Sequence, residues 1–156
     1  MRVLVALEPS KITYEAIEFY FTKLYKPDHN IFVFHLARPV GMGMIPKGMA
    51  GNTGASIKGT TRRQSVVEIE ETLKEKAEAV AEQFNVPKKK FHYSVREIEN
   101  SNSAEELGRE ICTECEFKKI DMVVMGCRNT KQKKFLGSVS DYIVRHADAV
   151  CMVAKV

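Results

Sequence analysis

The stretch Ile120–Val156, IDMVVMGCRNTKQKKFLGSVSDYIVRHADAVCMVAKV, decides how the rest of the chain is read. Ile120–Met125 is a short apolar run with β-branched side chains that stops at Gly126, the pattern of a buried strand entering a turn. A polar, lysine-bearing loop follows over Cys127–Lys134. After Phe135 and Leu136, the pair Gly137-Ser138 opens a segment with Val139, Tyr142 and Ile143 at helical spacing. Ser138 is read as the N-cap, with Asp141 three residues further on. A glycine and a hydroxyl residue at a helix start leave backbone N–H groups unpaired in front of the positive end of the helix dipole, an arrangement suited to an anion. Ala149–Ala154 closes the stretch as a strand that is apolar on both faces.

Working outward, Arg2–Leu7 (RVLVAL) is a continuous apolar run, as a strand in a parallel sheet covered on both faces requires. Glu8-Pro9-Ser10 makes a turn with a cap. Tyr14, Ile17, Phe21 and Leu24 then recur at helical spacing until Lys26-Pro27. Asp28-His29-Asn30 is a polar connection into the second strand, Ile31–Leu36, which the crossover rule makes parallel to the first. Ser65 and Glu68 form a capping box for a long helix whose apolar stripe is Ile69, Leu73, Ala77, Val80, Ala81 and Phe84, with glutamates and lysines on the solvated face. Asn85-Val86-Pro87 ends it, and Lys88–Lys90 is a basic turn. Phe91–Ile98 alternates apolar Phe91, Tyr93 and Val95 with polar His92, Ser94 and Arg96, a half-buried strand nearer the sheet edge. Ser103 and Glu106 make a second capping box, and Ala104, Leu107, Ile111 and Cys115 give the core stripe of that helix.

The order is five strands and four helices in β-α alternation, which predicts an α/β fold built on an open, mainly parallel, doubly wound sheet. In such a sheet ligands sit beyond the carboxyl ends of the strands, where the strand order reverses. Glu8, at the end of the first strand, offers a carboxylate to a ribose diol, and equally suits the dipole at a helix start.

Composition sets outer limits. A chain of 156 residues fits one domain, residues 1–156, able to bury roughly 68 to 70% of its unfolded surface. A formal charge of +4 is mild and mixed along the chain, so nucleic acid is not implied. The first residues are too short an apolar run for a signal core, and no run approaches the roughly 20 residues needed to span a bilayer, so the expected compartment is the cytoplasm. Residues 38–64 hold six glycines, two prolines and methionines 42, 44 and 49. That composition predicts a mobile loop, either a lid over the site or a tolerated insertion.

Four cysteines without a secretory signal read as free thiols. Cys112 and Cys115 make a C-x-x-C inside a helix rather than at its start, and no second pair or histidine cluster completes a zinc site. Cys115 is expected in the core and Cys112 partly exposed. His35, in an apolar strand, is expected to be a hydrogen-bonded core histidine, and His146 to close the last helix. No nucleophile–base grouping and no carboxylate pair is present, so no catalytic residue and no metal ligand is assigned.

Gly126, the loop after it, Gly137-Ser138-Val139-Ser140 and Tyr142-Ile143-Val144-Arg145-His146-Ala147 together resemble the carboxyl-terminal signature of the universal stress protein family. Nucleotide-binding members of that family carry glycine, two residues, glycine, nine residues, then glycine and serine or threonine. Here Asn129 stands at the second glycine, and seven residues, Thr130–Leu136, precede Gly137. The resemblance covers nearly the whole chain. It implies an adenine nucleotide alpha hydrolase-like fold with strand order 3-2-1-4-5, and ATP, ADP or AMP as ligand, with magnesium as an optional companion. It also implies the contacts. Adenine lies near Ala6 and Leu7 and the backbone of Leu36, and ribose between Glu8 and Gly126, beside Met125. The phosphates lie on backbone amides near Arg128 and Asn129 and at Gly137, Ser138, Val139 and Ser140. A homodimer through strand 149–154 is implied as well, since a bare apolar edge strand invites pairing. The resulting expectation is a stress-response module that binds an adenine nucleotide with at most slow hydrolysis. The alternative is a nucleotide-independent dimeric interaction module on the same fold.

Overall fold

The computed structural model describes residues 1–8, 11–37, 71–98, 103–127 and 136–155. The apolar runs become strands β1 (Arg2–Leu7), β2 (Asn30–Ala37), β3 (Phe91–Glu97), β4 (Met122–Cys127) and β5 (Val150–Lys155). They pair side by side, all parallel, in the order β3-β2-β1-β4-β5. Helices α1 (Lys11–Lys23), α2 (residues 71–83), α3 (Ala104–Lys118) and α4 (Ser138–His146) connect them. The expected mobile loop over 38–64, the capping box at Ser65 and Glu68, and Ile69 lie outside the described residues.

Alternation along β1 divides the interior in two. Val3, Val5 and Leu7 face Ile17, Tyr20 and Phe21 of α1 and Leu73, Ala77 and Ala81 of α2. Leu4 turns the other way, to Ile111 and Cys115 of α3 and Ile143 of α4. The sheet is therefore covered on both faces, which is why its central strands carry almost no polar residue.

Several boundaries differ from expectation, each for a local reason. The fourth strand starts at Met122 rather than Ile120 because the end of α3 uses those residues for its cap. Lys119 turns left-handed at φ 50° and its N–H and that of Ile120 return to the carbonyl of Cys115, Ile120 at 2.9 Å. At its other end β4 does not stop at Gly126 but runs through it to Cys127. Leu24, placed in the stripe of α1, is 39% exposed. The N–H groups of both Leu24 and Tyr25 bond the Tyr20 carbonyl, so the helix ends at Lys23, and Tyr25 packs on Phe21 in its place with ring centroids 5.3 Å apart. Cys112, expected to be partly exposed, is buried because α3 has the sheet on one side and α4 on the other.

The α3–α4 contact is close enough to need a glycine. A Cβ on Gly108 would come within 2.5 Å of the Tyr142 ring. The connection 28–30, read as merely polar, hides a buried histidine. His29 Nδ1 accepts from the Tyr20 hydroxyl at 2.8 Å, and burial lowers its pKa, so the ring stays neutral at pH 7. The C-x-x-C holds two buried thiols. Burial pushes Cys115 up to about 12 and raises Cys112 as well, so both remain protonated and unreactive. Among the described residues no grouping of three His, Cys, Asp or Glu could hold a metal ion, and no helix is long and apolar enough to cross a membrane.

Candidate functional site

The sheet order reverses at β1, which has β2 on one side and β4 on the other. The two junctions differ. β1 pairs with β2 along its whole length, from Arg2–Asn30 to Leu7–His35, whereas it pairs with β4 only at Val3–Met122, Leu4–Val123 and Val5–Val124. Beyond Val5 and Val124 the two strands continue without pairing to each other, β1 through Ala6 and Leu7, still paired with β2, and β4 through Met125, Gly126 and Cys127, paired with β5. The two strands therefore part at the carboxyl edge, at the topological switch point where open α/β sheets hold ligands in a crevice.

Each wall has a physical cause. Gly126 is required by packing: a Cβ there would lie 2.8 Å from Ile12 Cγ2 and 3.0 Å from backbone atoms of Ile12 and Thr13, so the first turn of α1 sits directly on it. Leu7 is buried, and its carbonyl accepts a hydrogen bond from His35 Nδ1–H at 2.8 Å; because a carbonyl can only accept, this bond places the imidazole proton on Nδ1. His35 is thus the hydrogen-bonded core histidine expected from its strand. Leu36 follows it in β2, and Glu8 follows Leu7, half-buried, at the mouth.

The start of α4 forms the far side. Its N-cap is Gly137, not Ser138, and a glycine brings no side chain to cap the helix. Ser140 Oγ turns back to the Gly137 carbonyl at 3.0 Å instead of serving an amide. The first intrahelical bond is Asp141 N–H to the Gly137 carbonyl at 2.8 Å, which leaves Ser138, Val139 and Ser140 as the residues whose N–H groups have no carbonyl four positions back in the helix. The N–H of Gly137 is held by Cys127 Sγ at 3.2 Å, tying the helix start to the end of β4. Sequence reasoning assigned Cys127 to the loop, and no spacing could have shown that its thiol faces Gly137.

Gly137 differs from Gly126 in a telling way. Its φ of −63° suits any residue, and a Cβ would meet only Ser140 Oγ, at 3.4 Å. Nothing in the described structure calls for glycine there. Of the residues singled out from the sequence, Ala6, Leu7, Glu8, Leu36, Met125 and Gly126 lie at the ends of β1, β2 and β4, and Gly137, Ser138, Val139 and Ser140 begin α4, joined to β4 through Cys127. Arg128 and Asn129 lie outside the described residues.

Comparison with protein-family models matches residues 1–155 to the universal stress protein family. The chain belongs to the universal stress protein family. Solved structures of universal stress proteins share its fold at low identity. One, the universal stress protein UspA from Lactobacillus plantarum, is 12% identical with a TM-score of 0.61, covering 99% of this chain and 97% of that one. A universal stress protein from Archaeoglobus fulgidus is 14% identical with a TM-score of 0.57, covering 99% and 93%. Another, solved in complex with cAMP, is 13% identical with a TM-score of 0.54, covering 99% and 96%. Comparison with curated protein sequences returns no match. At such identities the structural likeness is one of fold: the open parallel α/β sheet expected from the β-α alternation, in the strand order 3-2-1-4-5 that the family resemblance implies.

Proposed function

We propose that this universal stress protein binds an adenine nucleotide, ATP, ADP or AMP, at the crevice between β1 and β4 and acts as a cytoplasmic stress-response module through that occupancy. The observation that carries the reading is the start of α4 beside the crevice: backbone amides at Ser138, Val139 and Ser140 at the positive end of a helix dipole, behind an N-cap glycine that packing among the described residues does not require. The complex of a similarly folded universal stress protein with cAMP supports an adenine-containing ligand.

In this reading the phosphates lie on the amides of Ser138–Ser140, with Arg128 and Asn129 from the preceding loop. Glu8 takes the ribose hydroxyls opposite Gly126 and Met125, and Ala6, Leu7 and Leu36 border the base. Magnesium would arrive with the phosphates, since no group of protein ligands for it occurs among the described residues. Hydrolysis is at most slow, because no side chain is assigned to orient a water molecule.

Gly137→Val tests this directly. A valine is compatible with φ −63° and adds bulk at the start of the helix, where a Cβ comes 3.4 Å from Ser140 Oγ. Affinity for ATP, read by calorimetric titration, is expected to fall about tenfold or more while stability falls by only about 1 kcal/mol, the cost of an apolar residue at an N-cap. Wild-type protein that ignores added nucleotide would remove the proposal and leave the nucleotide-independent interaction module.

We also infer a homodimer through β5. This strand is one edge of the sheet, with no further strand paired to it among the described residues, and Val150 on it is 63% exposed. The helices beside it, α1 and α4, carry the exposed side chains Phe19 and Val144. Edge strands of this kind are ordinarily paired or covered. Light scattering is expected to give twice the chain mass at micromolar concentration, and Val150→Lys to shift it towards the monomer. A wild-type monomer would sink the inference.

A further inference from the structure

We propose that Cys127 is a positioning residue, which sets the start of α4 for a phosphate group without touching the ligand. The proposal rests on the nucleotide reading above. Cys127 ends β4, is among the most completely buried side chains, and its sulfur accepts the Gly137 N–H at 3.2 Å. The Gly137 carbonyl is held from the other direction by the Ser140 hydroxyl at 3.0 Å and the Asp141 N–H at 2.8 Å. Both polar groups of Gly137 are therefore engaged, one to the strand and one to the helix.

Two consequences follow from elementary helix geometry. First, the Gly137 amide is not among the free donors, so an incoming anion meets the three amides of Ser138, Val139 and Ser140. Second, the direction of those amides is set by the orientation of Gly137, and that orientation is referred to the sheet by the bond to Cys127. Sulfur is a weak acceptor, so the bond contributes more to direction than to stability. The phosphate-dependent part of affinity is the part that it governs; contacts to the base and ribose, which come from the ends of β1, β2 and β4, do not pass through the bond to Gly137.

The test compares wild type, Cys127→Ala and Cys127→Ser, each titrated calorimetrically with ATP and with adenosine, which lacks phosphate. In C127A the ATP affinity is expected to fall about fivefold, the size of one modest hydrogen bond, while adenosine affinity stays within about twofold. C127S, whose hydroxyl again offers an acceptor, is expected to recover most of the loss. An unchanged ratio of ATP to adenosine affinity in C127A overturns the proposal, as does a serine variant that behaves like the alanine one. If wild type binds neither ligand, the nucleotide reading fails and this role fails with it; if wild type binds ATP and the ratio does not move, only the role of Cys127 is lost. Should C127A not fold, as judged by circular dichroism, C127S decides alone, with the Gly137 amide followed by hydrogen exchange. Protection and ATP affinity kept or lost together are expected, and a change in one without the other overturns the proposal.

Discussion

Gly126→Ala is expected to destabilise the protein by about 2–3 kcal/mol, lowering Tm by roughly 5–10 °C, and to disrupt the proposed nucleotide site with it. The added methyl would lie 2.8 Å from Ile12 Cγ2 and, more seriously, 3.0 Å from the backbone of Ile12 and Thr13. A side-chain tip can swing aside. A helix backbone can move only with the helix, and α1 is held by Ala16, Ile17, Tyr20 and Phe21 in the core. The strain is therefore relieved by lifting the first turn of α1 off β4, the turn that follows Glu8. Thermal unfolding of G126A beside Gly137→Ala isolates the effect, because the second change adds the same methyl where only Ser140 Oγ is near, at 3.4 Å. Equal stabilities for the two variants would show that α1 does not seat on Gly126.

Arg96→Met should cost about 2–3 kcal/mol, and adding Glu114→Leu should return most of it. Arg96, on the edge strand β3, bonds Glu114 at 2.6 Å and Glu110 at 2.8 Å, and its guanidinium lies over the Phe34 ring. Glu114 is only 5% exposed, on the face of α3 turned to the sheet. Removing the arginine leaves a buried carboxylate with Lys118, at 4.0 Å, as its remaining cation among the described residues. An unpaired buried charge is costly, whereas removing both partners leaves an apolar contact that is nearly neutral. The partial exposure of Arg96 keeps the expected loss below the upper end for fully buried pairs. Urea denaturation of the two single variants and the double one measures the coupling, and additive losses would mean that the pair is a surface interaction only.

Glu114 also marks what a sequence does not disclose. On a helical wheel it is one more acid in a charged helix; it is buried because Arg96, 18 residues earlier, reaches it across the sheet edge. His29 is a similar case, polar in a polar connection, yet buried by its bond to Tyr20. Both were missed because burial of a polar group depends on a partner that local pattern cannot supply.

The stress-protein signature at Gly137–Ala147, the capping serine at position 103 and the continuous apolar runs were legible because they depend on local chemistry: propensity, periodicity and the needs of a helix end. Ser103 indeed accepts the Glu105 N–H at 3.1 Å. The α/β class follows from such local features, since alternating strands and helices of these lengths have few ways to bury their apolar faces. Only the tertiary structure decided which glycine serves packing and which leaves room, how far β1 and β4 stay paired, and that a cysteine at the end of one strand holds the first amide of a helix ten residues later. These depend on distances between segments remote in the chain, and such distances are set by how whole elements pack rather than by any residue's own preference.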